Sequence, residues 1–138
     1  MSSPEVWADA RVLIRDTAAT LGIPVAWPNE VFDDLPEPPA PFVAVEIRGD
    51  GAEPYELTGG VWREDGSVYL HVMVPTGSGI TTGLQLRKGL ADGFRGLPPR
   101  AVVYDSFSFD PGSDDEEGNW HRLTLRVAYH YQDIGPPA

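Results

Sequence analysis

Residues 72–96 read VMVPTGSGITTGLQLRKGLADGFRG, an apolar run that enters a Gly-Ser-Thr turn and leaves it as an amphipathic helix. Strand, glycine-rich turn and helix in that order is the layout of a phosphate-binding loop, and the fold class depends on whether it is one. A P-loop requires G-x-x-x-x-G-K-[ST], with the lysine on the terminal phosphates and the hydroxyl on magnesium. Gly77, Gly79 and Gly83 are present, but Leu84 and Gln85 stand where lysine and hydroxyl belong. The dinucleotide pattern G-x-G-x-x-G fails too, because Gly83 falls one place late.

The strand before this turn reads as one arm of a hairpin rather than the first strand of a parallel βαβ unit. In YELTGGVWREDGSVYLHVMVP, Asp65-Gly66 supplies the turn signal. Beyond it Val68, Leu70, Val72 and Val74 alternate with Tyr69, His71 and Met73. The stretch is therefore a joint between a hairpin strand and a helix. Ser78 is the expected N-cap, Ile80, Leu84, Ala91 and Phe94 form the buried stripe with Leu90 beside them, and Gly96 with Pro98 stops the helix.

Upstream, Val6, Trp7, Ala10, Leu13, Ile14, Thr17 and Leu21 recur at helical spacing. Ser3 is placed to cap that helix, Pro4 suits its first position and Gly22 ends it before Pro24. A proline-rich connector, 24–41, follows and is expected to be ordered but irregular. FVAVEIRGD alternates as a strand with Val43, Val45 and Ile47 on one face. AVVYDSFSF reads as another, carrying Val103, Phe107 and Phe109, with Ser106 and Ser108 on its outer face. The most regular strand is WHRLTLRVAYHYQ, with Leu123, Leu125, Val127, Tyr129 and Tyr131 on one side. The expected fold is one α+β domain over 1–138, in which two helices pack on one face of a mainly antiparallel, four- to five-stranded sheet. The element order is α-β-β-β-α-β-β, and residues 133–138 form a flexible tail.

The 138 residues suit a single modest core, and no apolar run reaches the length of a membrane span. The N-terminus lacks the pattern of a signal peptide, and with no cysteine the chain carries neither disulfides nor thiolate metal sites. A formal charge of −11 is at odds with docking on phosphates, so no sequence-specific nucleic-acid partner is expected. The densest basic spots, Arg11 with Arg15 and Arg87 with Lys88, read as solvated helix faces.

No catalytic set appears. His71, His121 and His130 sit on separate strands without metal-ligand spacing, and alternation puts His71 and His130 on the sheet face away from the core. DPGSDDEEGN collects carboxylates in the wrong register for a calcium loop and reads as a solvated hairpin tip. EVFDDLPE reads the same way. No G-x-S-x-G elbow occurs. The chain is expected to have no enzymatic activity, cofactor or metal. A small ligand-binding domain is the alternative from another class, and it predicts a concave pocket with convergent polar groups.

Taken together, VAWPNEVF, PFVAVEIRGD, GGVWREDGSVYLHVMVPTGSG and LQLRKGLADGFRG, followed by two closing strands, resemble the tail terminator-like proteins of long-tailed bacteriophages and related prophage or gene-transfer particles. The resemblance runs over about residues 5–132. It implies a structural subunit of the virion tail, located at the head–tail junction and assembled in the host cytoplasm. Such a subunit forms a homo-oligomeric ring of six on the tail tube, stops tube polymerisation and offers a surface to a head-completion or neck protein. A head–tail connector or other minor tail subunit is the alternative within the same particle. Trp62, Arg63, Glu64, Tyr69 and His71 are the expected subunit or tube contacts. Asp33, Asp34, Glu37, Asp114, Asp115, Glu116 and Glu117 are the expected lumen carboxylates, which would repel passing DNA.

Overall fold

The computed structural model describes residues 3–33, 39–54, 61–114 and 118–134. The elements are α1 (Pro4–Leu21), β1 (Val25–Ala26), β2 (Phe42–Pro54), β3 (Val61–Pro75), α2 (Thr81–Asp92), β4 (Val102–Phe109), β5 (Ser113–Asp114) and β6 (Trp120–Ile134). The architecture is α+β, with a mixed six-stranded sheet in the order β1-β2-β3-β6-β4 and β5 paired to β6. Among the described residues only β1 with β2 is parallel. Two strands exceed the expected set, β1 inside the proline-rich connector and β5 inside the acidic turn. Each is two residues long, too short to carry a periodicity.

α1 forms as its caps dictate. The Ser3 side chain accepts from the Val6 amide, Pro4 opens the helix, and Gly22 at φ 72° closes it by donating to the Ala18 and Ala19 carbonyls. Its face of Val6, Ala10, Ile14 and Ala18 is buried. α2 differs from expectation. Its N-cap is Ile80 with no side-chain cap, while the Ser78 hydroxyl donates back to the Pro75 carbonyl at 2.6 Å, and the helix ends at Asp92 with Gly93 as C-cap. The inward residues are Gly83, Arg87, Leu90 and Ala91, whereas Ile80 and Leu84 are exposed. Steric room explains the rotation. A Cβ at Gly83 would strike the Leu123 side chain, and one at Gly89 would come within 2.9 Å of Leu21. The small residues therefore turn inward and let α2 approach the sheet and α1.

The inward positions Val43, Val45, Val68, Leu70, Val72, Val74, Leu123, Leu125, Val127, Tyr129 and Tyr131 join the buried helix residues in one core. Both helices therefore cover the same sheet face, and the alternations of β2, β3 and β6 are met. β4 is not, because a bulge between Tyr104 and Ser106 shifts its phase. Val102 and Tyr104 face inward before the bulge, Phe107 faces inward after it, and Val103 lies with the outward set.

The expected turn at Asp65-Gly66 is absent. β3 runs unbroken through it, with Gly66 opposite both Gly49 and Tyr129, and the β2–β3 connection falls at 55–60, outside the described residues. Gly66 serves close approach instead. A Cβ there would fall on the Arg48 carbonyl oxygen and 2.5 Å from the Tyr129 hydroxyl. The Tyr129 hydroxyl is thus free to donate to Glu64 at 2.6 Å. The Glu64 carboxylate also accepts from the Ser3 amide at 3.1 and 3.3 Å, a charge placed at the N-terminus of α1 where the helix dipole favours it. Asp133 and Ile134, expected in a flexible tail, are paired to Trp62 and Val61 as the end of β6, and 135–138 lie outside the described residues.

Gly66→Ala should cost about 1–3 kcal/mol through overpacking, since one obstructing atom is backbone and cannot swing away. Urea unfolding monitored by circular dichroism measures it, and an unchanged midpoint would show that the Tyr129 ring can yield. Glu64→Leu should cost about 1–3 kcal/mol, by leaving the Tyr129 hydroxyl and the Ser3 amide without their acceptor.

Candidate functional site

With one face of the sheet under the helices, alternation drives every second residue to the other face. Cross-strand register arranges these as rows. Phe42, Met73 and Arg122 form the first, Ala44, His71 and Thr124 the second, Glu46, Tyr69, Arg126 and Ser108 the third, and Arg48, Ser67, Ala128 and Ser106 the fourth. The middle rows border a shallow recess of about 480 Å³.

Their side chains are coupled. The His71 ring lies between the Glu46 carboxylate, 2.7 Å from Nε2, and the Thr124 hydroxyl, 2.8 Å from Nδ1. The rings of His71 and Tyr69 are near parallel at 6.3 Å, and the Arg48 guanidinium lies 5.3 Å from the centre of the Tyr69 ring, within cation–π range. Arg126 Nε donates to the Ser67 hydroxyl at 3.0 Å. At the end of the face Phe42 is wedged between Phe32 and Trp120, with ring centroids 5.1 and 4.9 Å away.

Charge is balanced here. Arg48, Arg63, Arg122 and Arg126 share the face with Glu46, Glu53, Asp65 and Asp105, so most of the net −11 comes from the proline-rich connector and the acidic stretch 110–117. Burial alone would raise the Glu46 carboxyl. The hydrogen bond from His71 and the charges of His71 and Arg48 outweigh that and hold it below the ordinary carboxylate value.

The five expected contact residues divide. Tyr69 and His71 lie at the centre of the open face. Arg63 is farther along it, donating to Asp65 at 3.1 Å, and Trp62 lies near the strand end at 38% exposure. Glu64 points inward, 8% exposed, and is committed to Tyr129 and Ser3. Arg63 and Glu64 belong to a strand and not to a turn. Of the expected lumen carboxylates, Asp33 is an exposed connector residue and Asp114 is in β5, where its Oδ1 lies 2.9 Å from His121 Nδ1. Asp34, Glu37, Asp115, Glu116 and Glu117 lie outside the described residues.

Two residues taken as solvated have internal work. Arg87 is buried on α2. Its guanidinium donates to the Asp110 carbonyl at 2.8 Å and to Asp110 Oδ1 at 3.2 Å, and it lies over Phe109. Asp110 Oδ1 also accepts from the amides of Gly112 and Thr124 at 3.2 and 2.9 Å, so it fastens the turn to β6. Arg48, Arg122, Thr124 and Arg126 are not among the expected contacts, although the outward phase of β2 and β6, the one that places His130, carries them.

Among the described residues no cluster of three or more histidines, cysteines or acids could hold a metal ion. No described helix is long and apolar enough to cross a membrane. The arrangement the fold builds is a broad open face of aromatic, arginine and carboxylate side chains. The family model for phage tail terminator proteins matches residues 5–129, and the chain belongs to that family. It is a structural protein of the phage tail. No curated protein matches the chain. A solved structure of 20% sequence identity aligns with a TM-score of 0.67 over 99% of this chain and 100% of its own, a likeness of fold.

A folded value held below the unfolded one means that Glu46 stabilises the protein above the ordinary carboxylate range. That contribution is lost as pH falls through the lowered folded value. In a carbon-detected NMR titration, the Glu46 midpoint should lie below that of an unperturbed glutamate and move upward in His71→Gln. A midpoint indifferent to that substitution would remove His71 as a cause.

Proposed function

We propose that the protein forms a closed ring of six copies on the last ring of the tail tube, stops tube polymerisation and offers the completed end to a head-completion or neck protein. The observation that carries this reading is the family match across nearly the whole chain. The open sheet face supports it. Aromatic and arginine side chains supply much of the energy in protein contacts, and here Tyr69, His71, Arg48 and Arg126 are gathered on a face balanced in charge. Arg63, near the end of β3, extends that surface towards the neighbouring components of the tail, and Trp62, on the opposite face of the same strand, adds an exposed aromatic at that end. The acidic segments around Asp33 and Asp114 are assigned to the channel side, where carboxylates keep DNA from adhering.

Native mass spectrometry should give a sixfold multiple of the 15.0 kDa chain, alone or on addition of tube subunits. Mixed with polymerising tube subunits, the protein should arrest tubes at one end. A monomer under both conditions, together with unrestricted tube growth, would overturn the proposal. Tyr69→Ala should weaken ring or cap formation about tenfold or more, the usual scale for a central aromatic contact, while leaving the thermal midpoint of the subunit close to wild type.

A further inference from the structure

Among the described residues the sheet has two edges, both open over most of their length. β1 covers only Val43 and Ala44, so β2 from Val45 to Pro54 has no neighbour on that side among the described residues. On the opposite edge β4 pairs, among the described residues, only with β6. Exposed edges are normally blunted by lysine, proline or inward charges. The β4 sequence VVYDSFSF has neither lysine nor proline, and its one charge, Asp105, is held 2.7 Å from His130 Nδ1. Val103 and Phe109 are exposed on it. An open recess of about 300 Å³, lined by Phe94, Leu97, Val102 and Phe107, runs beside it. Asp9 of α1 meanwhile holds β4 in place, accepting from the Tyr104 hydroxyl at 2.6 Å and pairing with Arg100.

Strand direction selects the occupant. β2, β3, β6 and β4 alternate, each antiparallel to the next, so β2 and β4 run in opposite directions. A rotation that brings a second copy alongside preserves strand direction. It therefore presents the copy's β2 antiparallel to β4 without inverting either molecule, the head-to-tail contact from which rings are made. The two edges also bend at one level. The bulges at Gly49/Gly51 and Tyr104/Ser106 share the row Gly49–Gly66–Tyr129–Tyr104.

We infer that the ring closes by edge pairing. β4 of each copy adds to the free edge of β2 in the next, so that one antiparallel sheet continues from subunit to subunit. The inference rests on the ring reading above. Equal height around the ring sets Ser106 opposite Arg48 of the next copy, and Ser108 opposite Glu46.

The chain has no cysteine, so introduced pairs report this contact alone. Opposed antiparallel residues approach to the separation that a disulfide requires. A panel combining Ser106→Cys or Ser108→Cys with Arg48→Cys or Glu46→Cys, oxidised under conditions where native mass spectrometry shows the ring, should give a non-reducing ladder up to ring size in at least one register. Single-cysteine controls should give none. In hydrogen exchange, amides of Val102–Phe109 should be slower in the ring than in the diluted subunit. Rings that persist while the whole panel stays uncrosslinked, or without added protection of β4, overturn edge pairing and leave the ring intact. A wild-type protein that never assembles overturns the ring itself, and edge pairing with it.

Discussion

The structure depends on the meeting of Tyr129, Gly66 and Glu64. The missing side chain at Gly66 lets the Tyr129 hydroxyl reach over the neighbouring strand, where it donates to a carboxylate that also holds the Ser3 amide. One buried anion thereby ties together the two central strands and the first turn of α1. A buried carboxylate without partners would be strongly unfavourable. Here hydrogen bonds compensate it, and a helix N-terminus favours its charge. The same row contains both bulges, so the point where helix, strands and polar group converge is also where the sheet changes direction.

With one face sealed by α1 and α2, the other face is left with whatever the complementary phase of the strands supplies. In β6 that phase is Arg122, Thr124, Arg126, Ala128 and His130, and in β3 it is Ser67, Tyr69, His71 and Met73. The two histidines of this phase are each matched with a carboxylate on an adjacent strand, His71 with Glu46 and His130 with Asp105. The outward side chains are thus cross-linked by polar contacts as the inward ones are by packing. Such a surface can meet a partner without first being ordered, which lowers the entropic cost of association.

Sequence patterning recovered what local chemistry controls. The caps of α1, the inward alternation of β2, β3 and β6, and the failed phosphate-loop motif all follow from neighbours within a few residues. The errors have a common source. Asp65-Gly66 is a strong local turn signal, yet its glycine is needed by Tyr129, a residue far along the chain. Ser78 is a fitting cap by type, but its hydroxyl is turned back to Pro75. Arg87 looked solvated until the fold brought Asp110 and Phe109 to it. The β4 bulge is set by its pairing with β6 and leaves no mark in the alternation. Of the open face, Tyr69 and His71 were legible because they alternate with a clear core strand. The arginines opposite them became visible only when register placed β2 and β6 on either side of β3.

The place of β6 in the sheet has a consequence for synthesis. It pairs along the whole of β3 and also carries β4 and β5, but it is synthesised after every other element described. Until it emerges, β3 is itself a bare edge, β4 has nothing to join, and Glu64 lacks the Tyr129 hydroxyl. Nascent or prematurely terminated chains therefore have neither the centre of the sheet nor a β4 held at its margin. A chain that stops short of β6 thus leaves the backbone groups of β3 open along one side, where they can pair with another chain, so truncation there favours aggregation over folding.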